Sequence, residues 1–262
     1  WRTDPSIRRA VAELTLAACD SGDATSCQTA ASLAPEDTGG LVDREKAANL
    51  VARAASLHEQ RCAKRDVKGC RQGALLASSP RGGKNIPLAI GLFEKACALG
   101  SAMGCSRAGG AIVRGAVPGR EAPEGVKLLE RACDEGQHAD ACFALGDLAR
   151  EGKLVAGGAP VSKARFDRAF SISRARCDLG DYGGCSELLG YIGAGVMDAD
   201  AARGTIDYVE AVCARGDALL CMDLAQTLKR GRFADDARAK RAFDQACNFG
   251  HPICTAKPTP AP

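Results

Sequence analysis

The chain has 262 residues, 46% of them apolar and only 4% aromatic, with a formal charge of +3 from nearly balanced acids and bases. That balance gives no reason to propose nucleic acid or an anionic membrane surface as partner, and no apolar run is long enough to cross a bilayer. The even count of 14 cysteines, set in a pattern that recurs along the chain, points instead to a disulfide-bearing helical array without one global core.

Taken in order, residues 5 to 18 are predicted as a solitary leading helix. The cysteine couples follow: Cys19 and Cys27, Cys62 and Cys70, Cys97 and Cys105, Cys133 and Cys142, Cys177 and Cys185, Cys213 and Cys221, Cys247 and Cys254. Five share a separation of eight; the fourth is longer by one residue, around Gln137 to Ala141, and the last shorter by one, at His251-Pro252-Ile253. First cysteines recur at steps of 34 to 44 residues, a length that suits two helices and two turns. The two longest steps hold stretches rich in turn formers, Pro35 to Gly40 and Leu154 to Pro160, which are expected to be loops.

Within each couple lies a tight helix-to-helix corner, clearest at Cys97-Ala-Leu-Gly-Ser-Ala-Met-Gly-Cys105. Gly100 suits the left-handed residue that ends a helix, because it has no Cβ to clash. Ser101 can accept a hydrogen bond from the first free N–H groups of the next helix. The two thiols therefore flank the bend, where a disulfide would staple it.

Before each first cysteine runs a helix with apolar residues three and four apart, such as Ile90, Phe93, Ala96 and Cys97, or Val126, Leu129, Ala132 and Cys133; these are the B helices. After each second cysteine runs a shorter A helix. Small residues stand four positions beyond that cysteine at Ala31, Ala74, Gly109, Gly146 and Ala225, where a neighbouring helix would come close, and Leu189 breaks the pattern. Glycines ten positions beyond it, Gly115, Gly152, Gly195 and Gly231, are expected to end the A helices, a task that Ser79-Pro80 performs earlier in the second unit. A lone helix pair cannot cover its own apolar face, so successive pairs must stack. The fold class is therefore all-α, a TPR-like solenoid of about six helix pairs plus the leading helix. Residues 1–254 are expected to form one domain and residues 255–262 a proline-rich tail.

The cysteines are read as staples ahead of metal ligands or nucleophiles. A zinc site gathers its ligands closely in fours, whereas these couples lie a corner apart and only His58, His138 and His251 add imidazoles. Closing each nine-residue loop removes about 2.5 kcal/mol of unfolded-chain entropy in the chain-entropy model. Such regular pairing argues for the periplasm, the cell surface or a secreted protein. The chain begins at Trp1, which reads as a mature or trimmed form without its export signal and leaves room for a lipid anchor upstream. No cofactor or metal is expected. Catalytic motifs are missing: no Ser-x-x-Lys, Ser-Asp-Asn or Lys-Thr-Gly occurs, and the nearest candidate, Ser162-Lys163-Ala164-Arg165, ends in an arginine that cannot serve as a base. His58-Glu59 and His138 with Asp140 read as solvated polar neighbours. Gly82-Gly83 and Gly157-Gly158 lack the strand-loop-helix setting of a phosphate cradle.

The segment Leu92-Phe93-Glu94-Lys95-Ala96-Cys97-Ala98-Leu99-Gly100 with Gly104-Cys105 resembles the recurring unit of the Sel-one-like repeat family, in particular its disulfide-rich branch, the Helicobacter cysteine-rich proteins. Gly195-Val196-Met197-Asp198 is similar to that family's turn between A and B helices, and Ala144-Leu145-Gly146-Asp147-Leu148 to its A-helix signature. Gly119-Arg120-Glu121-Ala122-Pro123 departs from the pattern. The resemblance, from Cys19 to Cys254, implies a right-handed αα superhelix, an extracytoplasmic location and a role in protein–protein interaction, with A helices lining a concave groove. Positions two and five after the second cysteine should point away from the core, which nominates Gln72, Arg107, Asp147, Glu187, Asp223 and Gln226 as partner-binding residues. The expected function is a monomeric scaffold for a protein or peptide. The alternatives are a hydrolase or binder of β-lactams or cell-wall peptides, by family analogy, and a structural envelope component.

Overall fold

The computed structural model describes residues 4–33, 41–81, 83–153 and 158–255, and every regular element among them is a helix. The stretch 35–40, most of the 154–160 stretch, Gly82, Gly157 and the tail from residue 256 lie outside the described residues. The chain divides into two compact units, Trp1–Ala159 and Pro160–Pro262.

Unit 1 holds α1 (Pro5–Asp20), α2 (Ala24–Ser32), α3 (Arg44–Ala63), α4 (Val67–Ser78), α5 (Ile86–Ala98), α6 (Ala102–Val113), α7 (Ala122–Asp134) and α8 (Ala139–Arg150). Unit 2 holds nearly all of α9 (Gly158–Asp178), then α10 (Tyr182–Gly193), α11 (Ala199–Cys213), α12 (Ala218–Lys229), α13 (Asp236–Asn248) and the single turn α14 (Pro252–Thr255). Odd-numbered helices are of B type, even-numbered of A type. Two boundaries differ from the sequence reading. Residues 158–160, expected in a loop, form the first turn of α9, where Pro160 gives up an N–H that has no helical partner anyway. Thr255, expected in the tail, ends α14.

The corners repeat one geometry. The residue three after the first cysteine, or four in the longer fourth corner, has a positive φ in all seven: Gly22, Arg65, Gly100, Gln137, Gly180, Gly216 and Gly250. At the third corner the Gly100 N–H donates to the Cys97 carbonyl (2.9 Å) and the Ser101 N–H to that of Ala96 (2.9 Å), which satisfies the last carbonyls of α5. Ser101 then caps α6 by accepting from the Gly104 N–H. One residue thus closes one helix and opens the next. Asp23, Asp66, Asp181 and Asp217 cap the following helix at the same place in their corners. A disulfide locks each bend, with Cα atoms 4.4 to 5.3 Å apart.

Two corners carry an additional clamp. The guanidinium of Arg61, one residue before Cys62, grips the Asp66 carboxylate through Nε (2.7 Å) and Nη2 (2.6 Å). Arg176, one residue before Cys177, grips Asp181 in the same way at 2.8 and 2.7 Å. Asp66 sits below the usual carboxylate range because the Gly69 N–H and then Arg61 bond its charged form.

Within each unit the main helix contacts join chain neighbours and next neighbours, which is solenoid-type stacking. The cysteines lie inside the apolar layers: Cys19 and Cys27 with Val42, Leu50 and Ala54, and Cys62 and Cys70 with Ile90, Phe93 and Ala108. The predicted apolar faces of α5 and α7 are buried throughout. B helices are tied to the next B helix by surface pairs, Arg53 to Asp20 (3.0 Å) in unit 1 and Arg238 to Asp207 and Glu210 (2.6 Å each) in unit 2. Exposed pairs of this kind contribute about 0–1 kcal/mol each, so packing and bridges dominate.

His58 departs from its expected solvated position. It is 1% exposed on α3, neither ring nitrogen has a hydrogen-bond partner, and its neighbour Glu59 faces solvent. The face of α3 that carries Leu50, Ala54 and Cys62 at helical spacing also carries His58, so the helical period overrides the residue's polarity.

Candidate binding site

Each A helix begins at a corner and ends at a glycine or an extended residue. Gly115, Gly152, Gly195 and Gly231 all have positive φ just beyond α6, α8, α10 and α12, and Ser79 is extended after α4. The A helices are therefore nearly equal in length, 12 residues each from α4 to α12, and equivalent positions recur on them.

Of the six nominated residues, Arg107 and Gln226 are exposed, while Gln72, Asp147, Glu187 and Asp223 are half-buried. Asp147 pairs with Arg150 at 2.6 Å, and burial raises its pKa above the ordinary carboxylate value despite that cation. Glu187 is engaged inside unit 2. Its carboxylate accepts from Arg176 at 2.7 and 2.9 Å and from the Ser173 hydroxyl at 2.6 Å, and that hydroxyl lies 3.0 Å from the Tyr191 hydroxyl. This network joins α9 to α10 above Gly184, whose missing Cβ would otherwise stand 2.7 Å from the Ser173 carbonyl oxygen.

Asp223 and Gln226 come together. Both line a cleft of about 630 Å³ in unit 2, formed by α10, α12 and the turn after α12. Its walls include Leu189, Ile192 and Phe233; Gly190, Gly193 and Gly195 line it as bare backbone, and Arg230 and Arg232 stand at the end of α12. Asp223 is oriented from the opposite helix, because its Oδ2 accepts from the Tyr182 hydroxyl (2.5 Å) and the Ser186 hydroxyl (3.1 Å). The bond to Asp223 and burial raise the Tyr182 pKa, so the phenol stays protonated and donating. In unit 1 a smaller cleft of about 240 Å³ is lined by Gln28 of α2, Val51 of α3, Leu75, Leu76 and Ser79 at α4, and Arg81.

Sequence reasoning passed over Tyr182, Ser186, Gly190, Gly193, Arg230, Arg232 and Phe233. The run Lys229-Arg230-Gly231-Arg232-Phe233 is a basic and aromatic signal at an A-helix end, and two glycines three apart in α10 are a second. Among the described residues no cluster of three or more His, Cys, Asp or Glu side chains is arranged to hold a metal ion, and no helix is long and apolar enough to cross a membrane.

These features define a disulfide-stapled helical repeat protein. No known family profile matches the sequence, and no curated protein does. Solved structures similar to the chain include the protective antigen c5321 of uropathogenic Escherichia coli, described as having an SLR fold, at 18% identity and a TM-score of 0.45, over 93% of this chain and 50% of that one. A Sel1 repeat protein from Oxalobacter formigenes is similar at 20% identity and a TM-score of 0.46, over 78% of this chain and 79% of that one. The immunity protein Pa5087 from Pseudomonas aeruginosa is similar at 19% identity and a TM-score of 0.47, over 76% and 74%. The chain spans half the length of the E. coli antigen.

Proposed function

We propose that the chain is an extracytoplasmic scaffold that binds another protein or a peptide through a concave groove lined by its A helices. The observation that carries this reading is the α10–α12 cleft, where two nominated residues, Asp223 and Gln226, line one hollow with apolar walls and charges of both signs. Repeat proteins present such continuous surfaces because equivalent side chains recur from one pair to the next. Charges of both signs suit a polypeptide better than a uniform polyanion. The seven bridges support the extracytoplasmic part of this reading, because such disulfides persist in oxidising compartments. Residues 1–254 act as one domain and as a monomer in this reading.

Capture from envelope extract tests it, with the oxidised protein, the reduced protein and an Arg107→Ala/Asp223→Ala/Gln226→Ala variant as baits. A protein retained by the oxidised bait and lost from the other two supports the groove; equal retention by the triple variant removes it. Alkylation of protein taken directly from its native cells tests location, since free thiols at all seven couples would contradict an oxidising compartment. Limited proteolysis that releases a stable fragment ending near residue 159 would overturn the single domain.

A further inference from the structure

Gly190 and Gly193 lie about one turn apart on α10, both exposed, and a Cβ built on either meets no atom within 4 Å. Glycine inside a helix costs about 0.5–1 kcal/mol relative to alanine. At Gly184, earlier in the same helix, close packing explains it: a Cβ there would meet the Arg176 Cβ at 2.6 Å. Gly91 and Gly204 are also open, but each stands alone on a B helix. The pair on α10 instead lines the cleft beside Leu189, Ile192 and Phe233. Among the described residues nothing requires these positions to be bare, and the α10 backbone there is open to approach from outside.

The charges around that bare surface are polarised. Arg230 and Arg232 are exposed, and neither makes an ion pair among the described residues; Arg232 lies 5.4 Å over the Phe233 ring. At the other end, both bonds from α10 to Asp223 reach Oδ2, which leaves Oδ1 for a further donor. Asp223 and Arg230 are seven positions apart, from within α12 to the residue that follows it, about 10 Å at the helical rise, a distance that an extended peptide spans in about three residues. A volume of about 630 Å³ falls within the range of sites that enclose compact ligands.

We propose that this cleft binds a short extended peptide segment in which an acidic residue stands about three positions from a lysine or arginine. The acid docks on Arg230 and Arg232, the cation is directed at Asp223, and the intervening backbone lies over Gly190 and Gly193. The inference rests on the protein-binding reading above and narrows it to unit 2 and to one charge pattern. A polyanion would meet the Asp223 carboxylate and a polycation the two guanidiniums, so each is selected against.

The test is selection of a random 12-residue peptide library on the oxidised full chain, followed by fluorescence anisotropy with the selected peptides. Arg230→Ala/Arg232→Ala and Gly190→Ala/Gly193→Ala are measured beside the parent. The expected result is enrichment of the acid–base spacing, with binding at least tenfold weaker to both variants. The melting temperature should hold in the arginine variant and rise in the alanine variant. A purely structural role for the glycines would not pair higher stability with weaker binding. Should the alanine variant fail to fold, Arg230→Glu/Arg232→Glu with charge-reversed peptides decides instead. Selected peptides that lack the spacing, or that bind the variants as tightly as the parent, overturn the inference and leave the scaffold reading standing. A library that yields no peptide above background also overturns the inference alone, because the scaffold reading is decided separately by the capture from envelope extract.

Discussion

At the crossing of α6 and α7, a Cβ on Gly109 would come within 2.6 Å of the Gly125 carbonyl oxygen, and one on Gly125 equally close to that of Gly109. On α10, a Cβ at Gly190 would meet nothing. The two sites are alike in composition, each a glycine four or five residues past the second cysteine of its A helix. At the first, glycine lets two backbones of the chain touch, and Leu129, 1% exposed, packs over the contact. At the second it leaves a backbone uncovered beside a cleft. A glycine in a repeat therefore takes its meaning from what stands opposite its missing side chain, and the two cases should respond oppositely to the same mutation.

The largest expected effect removes the frame on which that contrast stands. Strong reductant opens all seven corners, and each short loop released should cost about 2.5 kcal/mol in the chain-entropy model. The melt followed by circular dichroism should move down by tens of degrees, and a melt that ignores reductant would show that packing alone holds the corners. Next in size is Gly125→Ala. Alanine is the better helix former, yet its methyl must enter a space where Gly109 O, Val113 Cγ2 and Val113 N all lie within 2.9 Å. Overpacking of this kind costs about 1–3 kcal/mol. Gly190→Ala should instead stabilise by about 0.5–1 kcal/mol from helix propensity. Equal signs at the two positions, read from urea midpoints, would break the comparison.

The tight crossing was legible in the sequence and the open cleft was not, for a physical reason. Gly109 falls at the repeat position where Ala31, Ala74, Gly146 and Ala225 also fall, so periodicity alone marks a helix contact. Gly190 falls one residue later, beside Leu189, which breaks that pattern, and no period distinguishes an open surface from a loosely packed one. The staples, the corner glycines and the apolar faces of α5 and α7 were readable because each depends on residues less than ten apart. The Arg176–Glu187 network and the Tyr182–Asp223 bond depend on how successive helices pack, 11 and 41 residues apart in sequence, and single-helix patterns do not encode that. His58 shows the converse. Its polarity suggested solvent, but its place in the helical period puts it inside.

His58 sharpens the closed side of the comparison, because it lies where α3 meets α4: a Cβ on Gly73 would stand 3.2 Å from the His58 Cβ and 3.3 Å from Leu92 Cδ1. Burial without a partner pushes the imidazole pKa below its ordinary value, Arg61 pushes the same way, and the opposing charges of Asp23 and Asp66 do not cancel the two. The folded chain thus binds fewer protons than the unfolded one once pH drops below about 6.5, so stability falls with falling pH in that window and is unaffected above it. His58→Leu keeps the volume and removes two unsatisfied nitrogens. It should gain about 1 kcal/mol near neutral pH and flatten the loss between pH 6.5 and 5. An unchanged slope in pH-dependent urea melts would place the acid sensitivity elsewhere.

The smallest effect lies at the corners that lack glycine. Arg65 (φ 64°) and Gln137 (φ 47°) occupy the left-handed position that glycine fills in the other five corners. A side chain there costs about 1–2 kcal/mol, of which glycine's greater freedom in the unfolded chain takes back about 0.5–1 kcal/mol. Arg65→Gly and Gln137→Gly should therefore each stabilise by only about 0.5–1 kcal/mol, seen as a rise of a few degrees in the melt. In both closed and open regions, glycine would then help wherever the backbone itself demands it and hinder nothing nearby. If either substitution lowers the melt, the side chain at that bend makes a contact worth more than the strain it bears, and the corner is held by something other than its turn and its bridge.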